Sequence, residues 1–129
     1  MPPIEQLQRL PPYHLDALQR QGIFTTGLLL EVSETVTRAQ YLADQIGATP
    51  NDVRDWRDEA LLLNLANFGP AEQRLFTQAG LIGLSDVLAL PVDEFSRRLK
   101  RAARPLGVES PPDLIIEGWW EQAHTLRES

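Results

Sequence analysis

Apolar residues along this chain recur at spacings of three and four, and alternation with period two is scarce. That pattern predicts helices and no sheet. The spacing predicts a short helix over residues 4–10, stopped by Pro11 and Pro12. Proline lacks an amide hydrogen and disfavours a helical residue before it. Pro12 suits the first turn of a second helix, which runs to about Arg20 with Leu15 and Leu18 on its buried side. Gly22 closes it in a left-handed conformation. Thr26 reads as the N-cap of a short helix over 27–31. Ser33 with Glu34 opens the next, striped by Val36, Ala39, Leu42, Ala43 and Ile46 and closed by Gly47. Thr49-Pro50-Asn51-Asp52 is a strong start signal. It combines a capping threonine, proline at the first helical position and an acid in the first turn. The helix after it carries Val53, Trp56, Ala60 and Leu63.

The second half repeats these steps. Gly22 corresponds to Gly80, and the same offset pairs Leu7 with Leu65, Leu10 with Phe68 and Pro12 with Pro70. Asn67-Phe68-Gly69-Pro70 opens the repeat, and Ser85-Asp86 starts its short helix. Phe95, Leu99, Ala102 and Leu106 stripe the longer one, which Gly107 ends as Gly47 ends its counterpart. Ser110-Pro111-Pro112-Asp113 echoes the second start signal. Trp119, Ala123 and Leu126 then echo Trp56, Ala60 and Leu63. The offset grows slightly along the chain, as small loop insertions produce. Such a repeat fixes architecture before any single residue does. It predicts an all-α domain of two pseudo-symmetric repeats, about 4–63 and 65–127, sharing one core.

The unit "apolar, turn, proline, helix, glycine-apolar, short helix" resembles a helix-hairpin-helix motif over 7–30 and again over 65–88. Essentially the whole chain resembles an uncharacterised bacterial family of tandem helix-hairpin-helix-like domains, each unit followed by a Trp-bearing helix. In the DNA-binding form of the motif the hairpin reads glycine-apolar-glycine, so that backbone and helix N-terminal amides hold a phosphate. Here the first hairpin is Arg9-Leu10-Pro11, without either glycine. The second, Asn67-Phe68-Gly69, keeps one glycine and an asparagine that tolerates the left-handed conformation. The resemblance therefore carries an anion or nucleic-acid contact only to Asn67 and Gly69. The plain alternative is that both hairpins are tight turns and nothing more.

Charge narrows the function. The net charge is −6, and Lys100 is the single lysine. Nucleic-acid affinity comes mainly from cations on phosphates, so this balance weighs against a general nucleic-acid binder. The chain has no cysteine, which removes disulfides, thiolate metal sites and cysteine nucleophiles. No apolar run spans a membrane, and the start lacks a basic segment followed by an apolar one. The expectation is a cytoplasmic protein with no integral membrane association.

One local reversal of sign stands out. Arg97, Lys100, Arg101 and Arg104 fall on one side of a helix, opposite Phe95, Leu99, Ala102 and Leu106. This is either a docking face for phosphate, an acidic partner or an anionic surface, or a solvated face balancing Asp93 and Glu94. In the pair Trp119-Trp120, adjacent side chains diverge by ~100°. Trp119 has a repeat partner and reads as core. Trp120 reads as a partly exposed interface anchor or as a closure between the halves. Asp52, Asp55, Asp58 and Glu59, interleaved with Arg54 and Arg57, read as a solvated face, not a metal site. His14 and His124 are isolated, and His14 reads as a surface residue. No nucleophile elbow or phosphate-binding loop is present.

These observations predict a non-catalytic interaction or adaptor module without cofactor or metal. It binds a protein partner, or a second copy of itself, through Arg97, Lys100, Arg101, Arg104 and Trp120. The alternative is weak, sequence-independent nucleic-acid binding through Asn67, Gly69 and the basic helix.

Overall fold

A computed structural model describes residues 2–128. Those residues are all-helical, with one isolated antiparallel bridge between Pro3 and Thr25 and no strand. The chain divides after Asn64 into two compact units.

The first unit begins with a single 3-10 turn, Ile4–Gln6, where the apolar spacing predicts a helix to residue 10. Leu7 leaves the turn in extended backbone, and the Ile4 amide pairs across to the Phe24 carbonyl. Four helices follow: α1 Pro12–Arg20, α2 Thr26–Val32, α3 Val36–Ile46 and α4 Pro50–Leu63. Ile4, Leu18, Leu29, Val53, Trp56 and Ala60 are buried in this unit. The second unit holds α5 Pro70–Gln78, α6 Leu84–Leu88, α7 Val92–Leu106 and α8 Asp113–Glu128. Its core is aromatic. The Phe76 ring meets Phe68, Trp119 and Phe95 edge-on at centroid separations of 4.8, 5.3 and 5.8 Å. Edge-to-face packing at such distances suits the ring quadrupoles.

Local chemistry explains most helix ends. α1 ends at Gly22 and α5 at Gly80, with φ of 82° and 79°. Past each glycine the chain turns back, so that the Ile23 amide donates to Leu18 and the Leu81 amide to Phe76. That 6→1 bond closes the helix and drops Ile23 and Leu81 into the core. Gly47 and Gly107 end α3 and α7 with the same 6→1 bond, from the Ala48 and Val108 amides, although Val108 stays exposed.

Three starts differ from the sequence reading. Thr25, not Thr26, caps α2, its oxygen accepting from the Leu28 amide at 3.1 Å. Thr26 is buried, donating to the Pro2 carbonyl and accepting from Asn64. Thr35, not Ser33, caps α3, while Ser33 ends α2. α6 starts at Leu84, where Asp86 accepts from the Ile82 and Gly83 amides. Thr49 behaves as expected, forming a reciprocal capping box with Asp52. The Thr49 amide above all holds the Asp52 carboxyl below its usual range. Among the described residues no helix is long and apolar enough to cross a membrane.

Candidate functional site

The resemblance places an anion contact at Asn67 and Gly69 of the second hairpin, and the first hairpin is their counterpart in the repeat. In the first unit the Gln8 amide donates to Glu59 Oε1 at 2.5 Å and the Arg9 amide to Oε2 at 3.2 Å. Glu59 is 1% exposed. It lies on α4 three residues after the buried Trp56, and so on the helix's inward stripe. The reading of 52–59 as a solvated face therefore fails at Glu59. It also fails at Arg57, which donates to the Leu30 carbonyl at 2.9 Å and to Ser33 Oγ at 2.8 Å. Burial pushes the Glu59 carboxyl above its usual range, while the Gln8 and Arg9 amides and the Arg9 guanidinium pull it down. Burial likewise lowers the Arg57 guanidinium.

The second unit solves the same problem with a neutral group. Gln122 lies three residues after Trp119 on α8, as Glu59 follows Trp56. Its Oε1 accepts from the Ala66 amide at 3.0 Å, and Trp119 Nε1 donates to the Ala66 carbonyl at 2.8 Å. Asn67 takes the left-handed conformation, φ 58°. The Gly69 amide donates to Glu72 Oε1 at 2.8 Å, putting a carboxylate at the start of α5. At each hairpin two amides, Gln8 and Arg9 in the first and Ala66 and Gly69 in the second, are bonded to the chain's own side chains.

The basic helix is α7. Phe95, Leu99, Ala102 and Ala103 are buried on one side, and Arg97, Lys100, Arg101 and Arg104 are exposed on the other. Local acids take up part of that charge. Glu94 pairs with Arg97 at 3.4 Å and with Arg98 at 3.7 Å, and Lys100 Nζ meets Asp113 at 2.8 Å. Arg101 and Arg104 have no ion pair among the described residues. Arg98 and Arg101 border an open recess of about 480 Å³ against Gln78 and Ala79 at the end of α5.

Trp120 is half-buried, and its Nε1 donates to the Leu90 carbonyl at 2.9 Å. Its ring lies against His124, centroids 4.0 Å apart. It thus ties α8 to the turn between α6 and α7, with its polar handle occupied. His14 is also half-buried, its ring 5.2 Å from that of Trp56, where the sequence suggests a surface residue. Among the described residues no three His, Cys, Asp or Glu side chains are grouped to hold a metal ion.

One surface has no counterpart in the sequence reading. Beside α2 and α3 runs a groove of about 510 Å³, with Ile23, Leu28, Val32 and Tyr41 in its walls and Glu31 and Arg38 beside them. A predicted helix shows which residues share a face, but not that the face lacks a neighbour.

Residues 10–126 match a family described as a domain of unknown function (DUF4332), and the chain belongs to that family. No curated protein and no solved structure matches it.

Proposed function

We propose that this chain is a non-catalytic, cytoplasmic interaction module, a tandem helix-hairpin-helix scaffold whose α7 face holds an acidic segment of a protein partner. The carrying observation is the pair Arg101 and Arg104, exposed one turn apart on a helix whose opposite face is fixed in the core. The Debye length at physiological salt is ~8 Å, so these local cations, more than the net charge, govern what that face meets. Two further facts support the reading. The Gln8 and Arg9 amides are bonded to Glu59, the Ala66 amide to Gln122 and the Gly69 amide to Glu72, which removes Gly69 as an amide donor for a phosphate at 67–69. Thr26, Ser33 and Glu59 are engaged in structural bonds, Thr26 with Pro2 and Asn64, Ser33 with Leu29 and Arg57, Glu59 with the first hairpin, while His14 Nδ1 is buried without a hydrogen-bond partner among the described residues.

The test is titration with a glutamate-rich peptide, followed by fluorescence anisotropy. Wild type binds it, and the double variant Arg101→Glu/Arg104→Glu loses at least about tenfold in affinity. Equal binding by both proteins removes α7 from the account. Tighter, steeply salt-dependent binding of duplex DNA by wild type would favour the nucleic-acid reading instead.

A further inference from the structure

We infer that the groove beside α2 and α3 is a second, independent docking site, which takes an amphipathic helix with basic residues flanking its apolar stripe. Leu28 and Val32 stand one turn apart on α2, 39% and 36% exposed, and Tyr41 on α3 is 67% exposed. All three line one groove of about 510 Å³, with Ile23 deeper in it. Isolated exposed apolar residues are ordinary, whereas here three share the walls of one groove. Two helices with an unfilled groove between them match the ridge of a third, whose anchors recur every three to four residues. A small apolar ligand would want walls burying most of its surface, and these walls are open to solvent.

The charges choose the partner. Arg38 is committed, to the Glu34 carboxylate at 3.6 Å and to the Glu31 carbonyl at 3.3 Å. The Glu31 carboxylate has no ion pair among the described residues. The uncompensated charge at the groove is therefore negative, and a lysine or arginine flanking the partner's stripe would meet it. The second copy's own basic helix does not qualify, because the apolar face of α7 is consumed within its unit.

The probe is a synthetic peptide of about 15 residues, long enough to form a helix. It carries leucines at helical spacing and lysines on the flanks. A glutamate-flanked version and a scrambled version serve as controls. Amide NMR should show shifts at Leu28, Val32 and Tyr41. The lysine-flanked peptide should bind about tenfold tighter than the glutamate-flanked one at low salt, with the gap narrowing as salt rises. Val32→Asp should abolish binding. Tyr41→Ser, at a more exposed position, should weaken it severalfold and covers the case in which Val32→Asp disturbs α2. Arg101→Glu/Arg104→Glu should leave binding unchanged, which separates this site from α7. The inference is overturned by no binding, by equal binding of the scrambled peptide, by a preference for glutamate flanks, by shifts centred on α7, or by self-association through this groove.

Discussion

Glu59 carries a conflict that one substitution can separate. Its carboxylate satisfies two backbone amides, yet its burial disfavours the charge that makes it a good acceptor. Glu59→Ala leaves both amides unpaired and should cost about 2–4 kcal/mol in chemical denaturation. Glu59→Gln keeps one acceptor and removes the buried charge, as Gln122 does in the second unit. A folded-state pKa above the unfolded value means that the folded state binds the extra proton. That contribution is full below the ordinary glutamate range, ~4.3, and is lost as pH rises through the raised value. Stability of wild type relative to Glu59→Gln should therefore fall with rising pH across that window and then level off. Gly80 tests the backbone alone. A Cβ there meets nothing within 4 Å, but φ is 79°. Gly80→Ala should cost about 1–2 kcal/mol by urea denaturation, and D-alanine at that position should cost none of it.

At the scale of elements, what could be read in the sequence was what is local. The Thr49 capping box and the glycine closures at 22, 47, 80 and 107 depend on neighbours within one turn, and they stand where the residue pattern puts them. Thr49→Ala should cost about 1 kcal/mol, seen as a lowered thermal midpoint. Errors of one or two residues arose where two hydroxyls compete. At 25 and 26, and at 33 and 35, one caps a helix and the other bonds into the interior. Glu59 was harder to foresee, because its partner amides lie 51 and 50 residues away. The signal was its place between Trp56 and Leu63 on an apolar stripe, set against a run of charges that suggested solvent. The basic face of α7 was plain from the sequence. How much of it is neutralised was not, since Lys100 is paired by Asp113 from the next helix.

At the scale of the molecule, the repeat duplicates a scaffold. Both units hold a hairpin with a side chain three residues past a buried tryptophan, a carboxylate in one and an amide in the other. The surfaces we propose for partners are helix faces: exposed cations on α7 in one unit, an apolar groove on α2 and α3 in the other. These belong to different units and should respond separately to substitution. Arg101→Glu/Arg104→Glu should leave stability within about 0.5 kcal/mol of wild type, because both side chains are exposed. The most direct measurement is an amide NMR titration of the whole protein at low salt, once with a glutamate-rich peptide and once with duplex DNA. The account predicts that the peptide shifts resonances of 97–104, and that DNA leaves Gln8, Arg9, Ala66 and Gly69 unmoved. Saturable DNA-induced shifts at those hairpin amides, with α7 silent to the peptide, would contradict it.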